Sequence, residues 1–185
     1  MPTVQPIAPQ PSAIQFLNHG HAEHWYALYT RPRHEKIVFE RLRRKDVNAF
    51  LPVVHQTHRW SDRRKEVQVP LFPGYTFVRI PTSAESSLLV LRTPGVVGFV
   101  GAGWRGFPIP DEQIEALQRL LAHKVACALF PFLREGQRVR IRGGCLDGVE
   151  GRLVALKSGR SLVISIAPIL SSVAISLQGY DVELI

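Results

Sequence analysis

Few of the residues that could do chemistry in this chain are spaced to do it together. His19, His21 and His24 could bind a metal ion, but they lie in or beside a Pro- and Gln-rich segment without further ligands. Adventitious binding is therefore favoured over a native site, and no cofactor is expected. His55 and His58 flank a polar stretch and have no evident carboxylate or cysteine partner.

The patterns typical of enzymes are missing as well. Asp111, Glu112 and Glu115 stand at the start of a predicted helix, where the helix dipole accounts for them. No Gly-rich loop is followed by Lys-Ser or Lys-Thr, so nucleotide hydrolysis has no phosphate cradle. We expect that the chain is not an enzyme. An enzyme with an unrecognised site is kept as a third functional hypothesis.

An aromatic bend at residues 70–78 points to binding instead. Pro70 and Pro73 fix the backbone around Phe72, and Gly74 permits a turn before an extended segment that presents Tyr75 and further aromatic residues. Rigidly placed aromatic side chains suit a docking surface. They suit the corner of a core equally well, and this segment alone leaves both interpretations open.

The chain is also strongly basic, with a formal net charge of +8. Such a charge favours encounter with a polyanion or an acidic partner, although a basic surface often serves only solubility. The lysine and arginine residues crowd two segments, 31–45 and 59–65, and both precede the aromatic bend. The charge alone does not decide between a polyanion and an acidic partner.

Length and composition limit the class of protein. With 185 residues and 45% hydrophobic content, the chain can form one or two small domains with buried cores. No apolar run reaches the roughly 18 residues that span a bilayer, and the first 20 residues lack the pattern of a secretion signal. The two cysteines, Cys127 and Cys145, lack metal-ligand spacing and suggest a reducing compartment, so a cytoplasmic protein is expected.

Hydrophobic patterning divides the chain into four parts. Residues 1–22 have no periodicity and predict a disordered arm. Residues 23–123 predict a compact α/β domain, residues 124–133 a linker, and residues 134–185 a small closed β-barrel of short strands. Within the second part we predict strands at 24–29, 50–54, 66–70, 75–80 and 96–100, and helices at 33–46, at 84–91 and from 111 onward.

Two motifs carry a family resemblance. The segment 135–153, with alternating Arg138 to Arg142 followed by glycines, resembles the KOW motif. The dipeptide Trp25-Tyr26, the basic helix, the bend 72–75, the segment 93–100 and the triplet 108–110 look like the amino-terminal domain of the NusG transcription factors. The two matches stand in the family's order, so the resemblance implies an α+β chain: an N-terminal α/β sandwich of NusG type and a C-terminal SH3-like KOW barrel.

The resemblance implies a function without catalysis. Family members are transcription elongation and antitermination factors that bind bacterial RNA polymerase at the clamp helices of the β′ subunit and suppress pausing or termination. Their KOW domain recruits termination factor Rho or a small-subunit ribosomal protein. A monomer is expected. Because KOW barrels also occur in ribosomal proteins, an RNA- or ribosome-binding protein is the alternative.

The same resemblance assigns candidate residues. Ser86 and Ser87 fall where the specialised paralogue RfaH contacts the gate loop of the β subunit, although its polar run is not kept here. Contact with the non-template DNA strand or nascent RNA is expected from basic residues after the first strand and in the hairpin: Arg31, Arg33, His34, Arg59, Arg63, Arg64 and Lys65. The polymerase-facing patch comprises Tyr26, Tyr29, Leu51, Phe72, Tyr75, Phe77 and Phe99, of which sheet alternation allows only about half to face outward.

A short apolar linker makes the chain resemble a specialised, RfaH-like paralogue more than the housekeeping factor. In RfaH the second domain refolds as a helical hairpin against the first. The apolar stretch 164–177 could do the same here, but its valines and isoleucines favour strands. We therefore expect strands in this stretch. Whether the two domains lie together or apart stays open.

Overall fold

The computed structural model of the protein describes residues 22–59, 64–101, 106–131, 136–156 and 159–185. The predicted N-terminal arm, apart from Ala22, lies outside these ranges, as do His19, His21 and Arg63. Within the described ranges, the helices are α1 (Glu35–Arg43), α2 (Ala84–Leu91) and α3 (Asp111–Ala122). The strands are β1 (Glu23–Thr30), β2 (Asn48–Phe50), β3 (Val53–Arg59), β4 (Arg64–Pro70), β5 (Tyr75–Pro81), β6 (Val96–Phe99), β7 (Pro108–Ile109), β8 (Cys127–Pro131), β9 (Gln137–Arg142), β10 (Glu150–Leu156), β11 (Gly159–Ile166), β12 (Ser171–Ser176) and β13 (Asp181–Leu184).

The first sheet is antiparallel, with strand order β2-β5-β1-β6 and β7 paired to β1. Its central strands β1 and β5 lie in a register that sets Tyr26 opposite Val78 and Tyr29 opposite Tyr75. Because side chains alternate along a strand, each central strand sends one set of residues to each face. The strands predicted at 24–29 and 75–80 are thereby confirmed.

Helices cover both faces of this sheet. On one face, α1 and α2 bury Val38, Leu42 and Val90 against Tyr26 and Leu28. The spacing of four between Val38 and Leu42 predicted this amphipathic helix, which is shorter at both ends than the predicted 33–46. On the other face, α3 contributes its own buried apolar residues to the core: Ile114, Leu117 and Leu120.

The second sheet has six antiparallel strands in the order β13-β9-β10-β11-β12-β8. The pairing in the described residues is an open path that ends at β13 and β8, so the closed barrel expected from the sequence is not seen. Part of the segment predicted as a linker forms β8, which pairs with β12 and sets Leu129 opposite Val173. The stretch 164–177 lies in β11, a short 3₁₀ turn and β12, as its β-propensity predicted.

The two sheets share one apolar core through α3. Leu117 and Leu120 of α3 belong to the same buried cluster as Ile141 of β9 and Leu146 of the 3₁₀ turn that follows β9. The guanidinium of Arg119 donates through Nη1 to the carbonyl oxygen of Asp147 at 2.9 Å. The two parts of the chain are therefore in contact, with a cleft of about 680 Å³ between α3 and strands β10 and β11.

None of the helices in the described ranges combines the length and the apolar character that crossing a membrane requires.

Candidate docking surface and nucleic-acid interface

Two tyrosines, one exposed and one half-buried, form an aromatic pair at one end of the first sheet. Tyr29 of β1 and Tyr75 of β5 are register partners, and their ring centroids lie 5.5 Å apart with an interplanar angle of 67°. This is an edge-to-face arrangement, which the ring quadrupoles favour. The Tyr29 side chain is 48% exposed, whereas Tyr75 is half-buried. Leu51, also half-buried, follows β2, the neighbour of β5.

The turn before Tyr75 explains its position. Gly74 has φ +83°, a left-handed conformation that side chains disfavour, so glycine is required for the backbone and not for space. The Gly74 N–H donates to Oε1 of Glu35 at 2.7 Å, and its carbonyl accepts from the Thr30 N–H at 2.8 Å. The Tyr75 N–H donates to the Phe72 carbonyl at 3.2 Å. The bend is thus held by bonds to both β1 and α1.

Four of the seven residues expected on the polymerase-facing patch lie in the core. Phe72 and Phe77 are 2% and 0% exposed and contact each other with ring centroids 6.0 Å apart, in the core cluster against which Tyr75 packs. Tyr26 and Phe99 are also buried, on the face covered by α1 and α2. The exposed part of the expected patch is therefore Tyr29 with the half-buried Tyr75 and Leu51. Sheet alternation predicted that only about half of the patch could face outward, but it does not separate Tyr75 from Phe77, which share one face of β5 and differ in burial because of packing.

Basic residues surround the start of α1. Arg31 and Arg33 are exposed, and the half-buried His34 has its Nδ1 3.0 Å from the Pro32 carbonyl oxygen. The Arg31 N–H donates to the carbonyl of Gly95, which brings the 93–96 turn against this loop. The three residues expected to approach nucleic acid after β1 thus lie together, and two of them are exposed.

The basic surface continues along α1, beyond the residues that sequence reasoning singled out. Lys36 donates to the carbonyl of Gln68 at 2.7 Å, and Arg41 donates through Nη1 to the carbonyl of Pro94 at 2.7 Å. Neither bond neutralises a charge. Every ion pair in the described part of the chain involves Arg79 or an arginine of β9, so the α1 cations are uncompensated. The signal was the charge run at 31–45. Exposed cations on α1 and its C-cap are Lys36, Arg41, Arg43 and Arg44.

The remaining basic candidates lie in the β3-β4 hairpin, which the sequence predicted as a charged excursion. Strands β3 and β4 form a two-stranded sheet of their own. Arg59 is the register partner of Arg64, and His58 is the partner of Lys65. Three of the four expected hairpin cations, Arg59, Arg64 and Lys65, therefore stand at the same end of this ladder.

Ser86 and Ser87 do not lie on the surface. They are 2% and 5% exposed, and the Ser86 N–H donates to Oγ of Ser83 at 3.1 Å, an N-cap bond that begins α2. The two side chains therefore belong to the helix start and its packing. The exposed large side chain of this helix is Leu88, which is 48% accessible.

Groups suited to catalysis do not converge in the described ranges. No group of three or more His, Cys, Asp or Glu side chains there is placed to hold a metal ion. Burial raises the pKa of the half-buried Cys127 thiol, whereas Cys145 is exposed and its sulfur lies 3.4 Å from the hydroxyl of Tyr180. The structure thus offers contact surfaces: a partly exposed aromatic pair lies beside a helix whose basic side chains form no ion pair in the described ranges.

Comparison with known proteins shows which family the chain resembles. Residues 23–118 match the NusG family model, described as transcription termination factor nusG. The chain is 31% identical over 149 residues to the transcription termination/antitermination protein NusG of Streptococcus pyogenes serotype M1, covering 74% of this chain and 82% of that protein. The NusG protein of Borreliella burgdorferi is 28% identical over 153 residues, which cover 71% and 82% of the two chains.

A solved structure shows the same fold. The structure titled "Domain interaction in Thermotoga maritima NusG" aligns with a TM-score of 0.53 at 21% identity, covering 86% of this chain and 97% of that one.

Because of the family-model match and the identity to its relatives, the chain belongs to the NusG family, whose members are transcription factors and not known enzymes. It is a transcription elongation and antitermination factor, as the sequence resemblance implied.

Proposed function

We propose that the chain docks on bacterial RNA polymerase at the clamp helices of the β′ subunit through Tyr29, Tyr75 and Leu51, and that docking suppresses pausing or termination. Factors of the NusG family bind RNA polymerase in general. The observation that carries the proposal is the exposed edge-to-face tyrosine pair at the end of β1 and β5. Accessible tyrosines supply a large contact area with little loss of conformational entropy, and they are enriched at the centres of protein interfaces.

The basic loop and α1 add an electrostatic contact in this proposal. Arg31, Arg33 and His34 approach the non-template DNA strand or the nascent RNA, and the exposed cations of α1 extend the contact over further phosphates. The hairpin residues 59 and 63–65 form a second contact point. Because phosphate contacts release counterions, this part of the interaction should weaken as the salt concentration rises.

The second sheet provides the KOW-type module. Support comes from the glycines that follow β9: Gly143, Gly144 and Gly148 all have positive φ, as the close turns of the resemblance require. We assign to this SH3-like unit the recruitment of Rho or a small-subunit ribosomal protein. The chain functions as a specialised, RfaH-like paralogue in this proposal, on the basis of the short connection between α3 and β9, part of which is taken up by β8.

A single-round transcription assay tests polymerase docking. The template carries pause and terminator sites, and the protein is compared with a Tyr29→Ala, Tyr75→Ala double variant. Leu88→Ala is a matched control because Leu88 and Tyr29 are equally exposed but lie on different elements. We expect readthrough with the wild type and Leu88→Ala, and its loss in the double variant. Equal activity of all three proteins would contradict docking through the tyrosine pair.

The uncompensated α1 cations also favour a second candidate, a protein that binds ribosomal RNA directly. This function predicts salt-sensitive binding to ribosomal RNA in the absence of polymerase, and no effect of the protein on transcription. It assigns no role to the exposed tyrosine pair. Binding to isolated ribosomal RNA at increasing salt, measured beside the transcription assay, separates the two functions.

A further inference from the structure

Glu35 is a buried carboxylate next to the proposed docking surface. It is only 6% exposed, although it is the first residue of α1 and lies between exposed cations. Glutamate is almost never fully buried unless its carboxylate is paired, because desolvating the charge is costly. No ion pair within the described ranges includes Glu35. Its burial therefore calls for another explanation.

The carboxylate binds the docking turn. Oε1 of Glu35 accepts the Gly74 N–H at 2.7 Å, a charge-assisted hydrogen bond of short length. The start of α1 is a favourable place for this negative charge, because the helix dipole is positive there. The main-chain oxygen of Glu35 lies 3.5 Å from Oγ1 of the buried Thr76, which follows the turn. Glu35 thus contacts the chain on both sides of Tyr75.

The backbone N–H and the backbone C=O of Gly74 are both hydrogen-bonded. Glu35 takes its N–H, and the Thr30 N–H donates to its carbonyl oxygen. A glycine at φ +83° has many other conformations open to it when unrestrained, so these two bonds select one of them. The next residue is Tyr75, whose ring meets that of Tyr29. The orientation of the tyrosine pair therefore depends on the two hydrogen bonds that hold Gly74.

We propose that Glu35 is the positioning residue of the docking surface, and that its bond to Gly74 joins the tyrosine pair to the basic loop. This inference rests on the proposed docking function. The segment from Thr30 to Glu35 carries Arg31 and Arg33, and both of its ends bond to Gly74. The aromatic and the cationic contacts are consequently held in one fixed geometry, which reduces the ordering cost when a partner binds both.

The first test uses the free, full-length protein. Glu35→Ala removes the acceptor, and Glu35→Gln keeps an amide oxygen at the same reach. Val38→Ala, one turn along α1, removes fully buried apolar surface without touching the turn. We expect faster amide exchange at Gly74 and shifted Tyr75 ring resonances in Glu35→Ala. Glu35→Gln should resemble the wild type, and Val38→Ala should lose stability without these local changes.

The second test measures affinity for RNA polymerase core enzyme at a temperature where all variants are folded. Glu35→Ala should bind about tenfold more weakly, a difference of about 1.4 kcal/mol, with Glu35→Gln and Val38→Ala close to the wild type. Unchanged Gly74 exchange in Glu35→Ala, or full affinity despite faster exchange, would overturn the positioning role. If the wild type itself does not bind polymerase, the proposed docking function fails, and Gly74 exchange alone still decides whether Glu35 holds the turn.

Discussion

The two basic regions of this molecule, α1 and β9, differ in whether acidic side chains pair with their cations. Along β9, Arg138 and Arg140 bond to Glu150 at 3.2 and 2.5 Å, and Arg142 pairs with Glu183. Along α1, Lys36 and Arg41 bond to neutral carbonyl oxygens, and none of the ion pairs in the described ranges includes a cation of this helix. A net positive charge in a sequence therefore does not locate a polyanion site. The position of acidic residues on neighbouring elements decides which basic surface is free.

The ion pairs along β9 also shift the pKa values of residues that form them. The hydrogen bond from Arg140 lowers the pKa of Glu150 below its ordinary value of 4.5, with smaller contributions from the charges of Arg140 and Arg138. The hydrogen bond with Glu183 raises the pKa of Arg142. The β9 surface is thus a network of mutually stabilised charges, whereas α1 presents cations that a phosphate could neutralise.

The largest expected effect tests whether both regions belong to one folded unit. Leu117→Ala in α3, between the two sheets, should lower the free energy of unfolding by about 2–5 kcal/mol, because it leaves a cavity in the shared core. Amide exchange at Leu28 in the first sheet and Ile141 in the second should then accelerate together. The exposed neighbour Gln118→Ala serves as the control. Acceleration confined to Leu28 would mean that the sheets unfold independently.

The next largest effect concerns the unpaired cations at and beside α1. Replacing Arg33, Lys36 and Arg44 by alanine should weaken binding to duplex DNA and reduce the salt dependence, by about 0.9 in the log–log slope for each phosphate that the variant no longer neutralises. Alanine at Arg138, Arg140 and Arg142 should change this slope little, because their charges are already paired. Fluorescence anisotropy at several salt concentrations measures both variants. If the slope falls as much in the β9 variant as in the α1 variant, ion pairing does not separate the two surfaces.

The smallest effect concerns acid stability. Because the folded-state pKa of Glu150 is lowered, its contribution is present above the ordinary pKa of 4.5 and is lost as the pH falls below it. These pairs are partly exposed, so we expect no more than about 1 kcal/mol. Urea unfolding at pH 7 and pH 3 should show that Glu150→Gln is less stable at neutral pH and approaches the wild type in acid. A difference that is equal at both pH values would argue against this linkage.

Local signals were sufficient for most elements of the first sheet. The apolar spacing in α1 and the aromatic run of β1 depend on neighbouring residues only. Strand β8 escaped prediction because five residues ending at Pro131 show no usable alternation, and its partner β12 lies far along the chain. The closed barrel was expected from short strands and turns, which do not determine whether the outer strands meet.

The candidate site shows the same limit more sharply. Alternation indicated that only about half of the expected patch could face outward, but the register that pairs Tyr29 with Tyr75 and the burial of Phe72 and Phe77 come from tertiary packing. The serines of α2 were expected on a contact surface, although a cap and a tightly packed helix bury them. Burial depends on what packs against an element, and that partner is distant in the sequence.

Three features are determined by the sequence alone: the order of most elements, the basic excess before the aromatic bend, and the family. These follow from residue types and short-range spacing. Only the tertiary structure decided which aromatics are exposed, which arginines are neutralised and that Glu35 meets Gly74. Each of these depends on a contact between residues well separated along the chain. Such contacts are set by how sheets and helices pack, which local periodicity does not encode.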